Sequence, residues 1–434
     1  MKPATAAALV ASFTLALLGA APAPAPAPAP PPAGADDELD EGPPPMPAAP
    51  VWPCSATASA NVEKGNAAML SGAFPAAIDA YKDARDGGKC YPAYYNIAVT
   101  FERMGEGDKA ESAYKDALGA KGDYGRAVAG LANLYLRSGR TSQAESLVDG
   151  LWAKYPKSAE IGAKRADLYY RAGKHDKAIE TAKKVLHVDE KSVDARIAMA
   201  KAYYKMGRYE LVEKIAKGGK DIDKGNAYLF NLMGLMYLKL DKTADALAEF
   251  EQATVLRPDY PEAFNNLGAR YLAVGKFADA ERALDQATTL YPSFSKAWVN
   301  LGAARRHVGK VKEAEDAFRR AERLEPHLAA AYFNHGLLYL DHEMEGMDKI
   351  KRLEAAISML GRYRDEMGLT LPKDDPVDKY VGEARKLIEL EKKRLDKKAA
   401  DAAKPKPPPD TAAPAPSSAV PVPAGGATPV PPPK

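Results

Sequence analysis

From residue 58 to residue 340 the apolar positions fall three or four apart, in short runs that come in pairs. That spacing puts the apolar side chains of each run on one face of a helix, so every pair of runs predicts two short amphipathic helices. Alternation with a period of two, the mark of a half-buried strand, is not visible. The turn within a pair carries glycine, and several pairs end on proline.

The pairs repeat. "FNNLGARYLAVGKFADAERALDQATTLYP" (264–292) and "WVNLGAARRHVGKVKEAEDAFRRAERLEP" (298–326) align with Trp298, Gly302, Gly309, Ala314 and Pro326 each 34 residues after Phe264, Gly268, Gly275, Ala280 and Pro292. "FNLMGLMYLKLDKTADALAEFEQATVLRP" (230–258) continues the register backwards. An alanine just after the turn recurs at Ala77, Ala110, Ala144, Ala178, Ala246, Ala280 and Ala314, with Val212 in the skipped place. A turn glycine recurs at Gly72, Gly105, Gly139, Gly173, Gly207, Gly275 and Gly309, and an aromatic at Phe101, Tyr135, Tyr169, Tyr203, Tyr237 and Tyr271. Lys89, Gly122 and Glu190 stand where the unit boundary would carry proline.

Each residue type has a physical reason. Glycine ends the first helix by taking up a left-handed conformation. Alanine and glycine on facing surfaces let two helices approach closely, the aromatic fills the wedge between neighbouring pairs, and proline stops the second helix. One pair cannot bury its own stripe, whereas stacked neighbours can.

These positions resemble the tetratricopeptide repeat family, over roughly residues 58–340. The resemblance implies an all-α fold, a right-handed superhelical solenoid of helix-turn-helix units with a protein or extended peptide held on its concave face. Eight full repeats and the start of a ninth are expected within 54–345, then a divergent last repeat and capping helices over 346–400. The ninth unit, "AAYFNHGLLYLDHE" followed by "IKRLEAAISMLGRY", is similar to the tetratricopeptide proteins of myxobacterial gliding machinery, which makes a component of a gliding-motility envelope machine an alternative expectation.

Outside the repeats the composition changes. The 35 prolines crowd into 22–53 and 403–433. Residues 1–20, with Lys2 ahead of an uncharged apolar stretch, have the layout of a secretory signal, with cleavage between 20 and 35. Residues 21–53 read as a disordered Pro/Ala-rich linker and 401–434 as a disordered Pro-rich tail. Export to a periplasmic or envelope-associated site is the expectation, with membrane contact confined to the N-terminus or the basic run before the tail. Retention of the apolar segment, giving a membrane-tethered spacer, is the alternative. The two cysteines, Cys54 and Cys90, permit a disulfide in an exported chain, and two separate buried thiols are the other reading.

Charge narrows the function. Lys plus Arg number 61 against 58 Asp plus Glu, a formal +3 without the basic excess of a nucleic-acid binder. No phosphate loop, nucleophile elbow or paired-cysteine motif occurs, so neither catalysis nor a cofactor is expected. The alternative is an enzyme or enzyme-accessory site near residues 335–343, where His335, Asp341, His342 and Glu343 lie close in sequence. Binding is expected on the concave face instead. Asn96, Asn266, Asn300 and Asn334 share one place in the first helix, and Asn231 and Asn265 lie one position earlier. An amide donates and accepts, so such a row can clamp a peptide backbone. Arg306, within the local patch of Lys296, Arg305 and His307, is the basic candidate there.

Overall fold

A computed structural model describes residues 54–86 and 90–403. The expected signal, linker and most of the tail therefore lie outside the described residues, as does Lys89. Among the described residues all regular structure is helical.

The first eight helical hairpins follow the sequence period. They are α1 (Ala56–Leu70) with α2 (Phe74–Asp86), α3 (Tyr91–Arg103) with α4 (Gly107–Ala120), α5 (Gly125–Arg137) with α6 (Thr141–Lys154), and α7 (Ala159–Arg171) with α8 (His175–Val188). Then come α9 (Val193–Lys205) with α10 (Tyr209–Ile222), α11 (Ala227–Lys239) with α12 (Thr243–Leu256), α13 (Pro261–Ala273) with α14 (Phe277–Leu290), and α15 (Ser295–His307) with α16 (Val311–Leu324). Each helix packs on the next, and first helices also touch the first helix of the following unit, as in α5 with α7, α7 with α9 and α13 with α15. The first helices thus form a continuous inner layer.

Close approach inside a hairpin rests on the regular spacing of small residues along the chain. A Cβ on Gly302 would stand 2.5 Å from Cε1 of Phe318, and one on Gly234 2.5 Å from Cε1 of Phe250. The marker alanines from Ala77 to Ala314 are fully buried, and Val212 fills the same kind of place. The turn glycines from Gly72 to Gly309 have φ between +70° and +79°, where a side chain is disfavoured, and Asp241 takes that role at φ 54°. Between units the wedge tyrosines also bond. Tyr135, Tyr237 and Tyr339 donate to Glu111, Glu213 and Glu315 at 3.0, 3.3 and 2.7 Å, the three glutamates holding one place in the repeat.

The period breaks in the ninth hairpin, α17 (Ala329–Asp341) with α18 (Lys349–Met367). Its turn runs over 342–348, against 308–310 one unit earlier, and α18 has 19 residues where α16 has 14. Ala356, rather than Ala355, is the buried alanine. Arg352 fills the widened turn: it is buried and donates to the carbonyls of Tyr339, Leu340 and His342, ending α17.

A last helix, α19 (Val377–Ala402), closes the solenoid. Val377, Tyr380 and Val381 pack with Phe333, Leu360 and Tyr363, while Ala384 and Ile388 pack with Leu353. Asp375 Oδ1 accepts from the Val377 amide at 2.9 Å, although Pro376 itself holds the cap position. The helix runs two residues into the tail expected from residue 401, because its final turns remain a good helical sequence. At the other end Cys54 and Cys90 are joined by a disulfide, with Cα atoms 4.4 Å apart. It ties the residues ahead of α1 and α3, so the whole first hairpin lies within one covalent loop.

Candidate functional site

The inner layer encloses a concave cavity of about 740 Å³, lined by α5, α7 and α9, the start of α11 and Glu262 on α13. The repeat makes its wall a set of columns, since residues 34 apart occupy the same height on neighbouring first helices. Ala129, Ala163 and Ile197 form one column, Asn133, Asp167 and Lys201 a second, and Arg126, Glu160, Asp194, Tyr228 and Glu262 a third. Small residues make the space: Ala129 and Ala163 occupy the place where later units carry Asn231 and Asn265.

Asp167 is the centre of the wall. Its carboxylate receives Lys164 and Lys201, both at 2.8 Å, and Arg171 at 3.1 Å. Lys164 also donates to Asn133 Oδ1 at 2.6 Å, and Lys201 lies over the Tyr170 ring, 4.4 Å from its centroid. Lys164 and Lys201 are 9% and 3% exposed. Burial pushes the Asp167 carboxyl up, but the charges of Lys164, Lys201 and Arg171 together outweigh it and hold it well below the usual range. Burial lowers Lys164 despite the same pairing. The site is thus a buried cationic cluster held together by one carboxylate, bordering a cavity of ligand-pocket size.

The asparagine row lies elsewhere. Asn96, Asn231, Asn265, Asn266, Asn300 and Asn334 are 0–3% exposed. Asn266 donates to Asn231 and Asn300 to Asn265, both at 2.9 Å, while Asn96 donates to Asn66 at 3.0 Å and Asn334 to the Ala330 carbonyl at 2.8 Å. Three of these bonds join packed first helices, and that of Asn334 runs back along its own helix. Arg306 is buried as well. It is 1% exposed, paired with Asp341, and donates to Nε2 of His307 at 3.1 Å.

The polar cluster around 335–343 does not converge. His335 is buried, its Nδ1 bonded to Glu322 at 2.7 Å, with its ring against Phe318 and Tyr339. Asp341 turns to Arg306 instead. Among the described residues no group of three His, Cys, Asp or Glu side chains is placed to hold a metal.

The groove residues were missed in the sequence because their signal is columnar. Charged residues at 34-residue steps, such as Asp167 and Lys201, look ordinary within their own helices.

Helical hairpins stacked at a constant step, with a concave inner face, define a repeat solenoid. Tetratricopeptide repeat models match residues 102–168, 169–236, 234–275 and 267–329, an unbroken run over just more than half of the chain. The chain belongs to the tetratricopeptide repeat family. Similar solved structures include a tetratricopeptide repeat protein from Parabacteroides merdae, 21% identical over 58% of this chain and 99% of that one, with a TM-score of 0.43. MamA is 25% identical over 39% and 92%, TM-score 0.33. YrrB, described as a protein of this type with an unusual peptide-binding site, is 18% identical over 42% and 95%, TM-score 0.33. No curated protein sequence matches the chain.

Proposed function

We propose that the protein is a non-catalytic scaffold that holds a protein partner, through an extended segment of it, in the concave groove of α5–α13. The observation that carries this is the Lys164–Asp167–Lys201 cluster, in which buried charges border a cavity of ligand-pocket size. Charged groups are costly to bury, and perturbed ionisable groups beside a cavity cluster at functional sites. Family membership supports the reading, because stacked repeats present an extended concave surface for binding. The apolar stretch near the N-terminus and the paired cysteines favour an exported protein working in an envelope-associated complex. Among the described residues no helix is long and apolar enough to cross a membrane.

The test is site-specific photo-cross-linking in cells. A photoreactive residue at Ile197, on the groove wall, should trap a discrete partner, and one at Ser146, on the convex side, should not. Equal trapping at both positions, or at Ser146 alone, would sink the groove reading.

A further inference from the structure

The charges of the groove are sorted by height along the first helices. Glu160, Asp194 and Glu262 all come from first turns. Lys164 follows Glu160 by four residues on α7 and Arg171 by eleven, which is about 6 and 16 Å farther along the helix axis. Lys201 stands seven residues beyond Asp194 on α9, and Arg137 closes α5 at the level of Arg171. Because neighbouring first helices run side by side, these residues form two parallel flanks of the groove wall, one toward the starts of the first helices and one toward their ends. One is acidic, the other basic. Arg126 and Arg257, the latter paired with Asp259, are the exceptions on the acidic side, and Asp167, surrounded by three cations, is the exception on the basic side.

An extended peptide crossing the helices turns successive side chains to opposite sides. A chain lying in this groove therefore sends every second side chain toward Lys164, Lys201 and Arg171 and the others toward Glu160, Asp194 and Glu262. We propose that the partner segment is an extended peptide in which acidic and basic residues alternate. This rests on the groove reading given above and names the chemistry of its ligand. A uniformly acidic segment would satisfy the basic flank and be repelled by the acidic one, and a uniformly basic segment the reverse. Segments with the two signs in separate blocks would place half of their charges against the wrong flank. Five first helices at about 8–10 Å spacing span roughly 30–40 Å, matched by about ten extended residues.

The experiment uses the full chain and four fluorescein-labelled decapeptides. One alternates lysine and glutamate, one has all its lysines ahead of all its glutamates, one is all glutamate and one all lysine. Fluorescence anisotropy at about 0.15 M salt should show the alternating peptide binding at least ten-fold tighter than the other three. Asp194→Asn on one flank and Arg171→Gln on the other should each weaken it at least five-fold, with helicity unchanged by circular dichroism. Arg137→Gln, at a partly exposed position paired with Glu102, provides a second basic-flank variant if Arg171→Gln does not fold. Equal binding of the block or of either uniform peptide would overturn the inference. So would an absence of binding by all four. In that last case continued partner trapping at Ile197 would leave the groove reading standing, and loss of that trapping would remove both.

Discussion

The side-chain amide of Asn300 donates to Oδ1 of Asn265 at 2.9 Å, from one first helix to its neighbour, with both residues buried. The same bond joins Asn266 to Asn231 one unit earlier. Each amide is offset by 35 residues from its partner rather than by the 34 of the repeat, so the pair reaches diagonally across the unit boundary. Such bonds fix the register of one hairpin against the next.

Replacing Asn300 by alanine should therefore act on stability. The expected loss is about 1–3 kcal/mol, the cost of removing one partner from a buried hydrogen bond. Urea unfolding followed by circular dichroism measures it. Capture at the Ile197 cross-linking position should be unchanged, and a selective loss of capture without destabilisation would return the asparagines to the binding surface.

Gly302 and Gly309 should respond differently to alanine. At Gly302 the added Cβ collides with Phe318, an overpacking that costs about 1–3 kcal/mol. At Gly309 nothing lies within 4 Å, and the penalty comes from φ +78° alone, about 1–2 kcal/mol. In a Phe318→Ala background the Gly302→Ala change should cost less than in the native protein and the Gly309→Ala change the same, as thermal melts of the double variants would show. Leucine would not relieve the clash, since one unit earlier a Cβ on Gly268 would stand 2.4 Å from Leu284 Cγ.

Arg306 is buried and pairs, between α15 and the end of α17, with Asp341, whose side chain is 19% exposed. Stranding Arg306 by removing Asp341 should cost at most about 3–5 kcal/mol, while replacing both with apolar residues should cost much less than the sum. A double-mutant cycle of Arg306→Met and Asp341→Leu decides this. Simple additivity would show that the two side chains act independently.

His307 gives a pH dependence with a definite sign. Its ring stacks on Phe277 with centroids 4.2 Å apart, and burial, then the charges of Arg306 and His342, push its imidazole down to about 4. The unfolded chain takes up that proton near pH 6.5, before the folded protein does. Its contribution is thus intact above about pH 6.5, declines as the pH falls toward 4, and is constant below. Glu111 acts lower down. Hydrogen bonds from Lys115, Arg140 and Tyr135 hold its carboxyl at about 2, so its stabilisation is present above about pH 4.5 and fades as the pH falls toward 2. Urea midpoints between pH 7.5 and 3 should show His307→Gln flattening only the upper part of this slope.

Opening the Cys54–Cys90 bond should loosen the first hairpin in particular. The chain-entropy model gives about 3–4 kcal/mol for a loop of this length, and repeat stacking confines most of the effect to adjacent units. Hydrogen exchange with and without reductant should show protection lost in α1 and α2 and kept in α11–α16. A uniform loss along the chain would contradict that local accounting.

The hairpins were legible because packing demands small residues at fixed places. Gly268, Gly302, Ala280 and Ala314 leave a spacing that no other arrangement explains. The asparagines were legible as a row but not as a buried one. Whether position 266 or 300 faces ligand or neighbour depends on the side chain diagonal to it, and Asn231 and Asn265 happen to bond there. In the groove the corresponding neighbours are Ala129 and Ala163, too small to fill the space, so Lys164 borders a cavity instead. His335 shows the same dependence: it stands where other units have leucine, and only Glu322 on α16 makes its burial acceptable.

The disulfide has one more consequence, which is mechanical. Pulled from its two ends, a stacked array of this kind lengthens as hairpins detach, each releasing on the order of 100 Å of chain. Cys54 and Cys90 lie outside the two ends of the first hairpin, so the load passes through the sulfurs and bypasses it. Under force the oxidised protein would extend by one step fewer than it has hairpins, and a thiol reductant would restore the missing step.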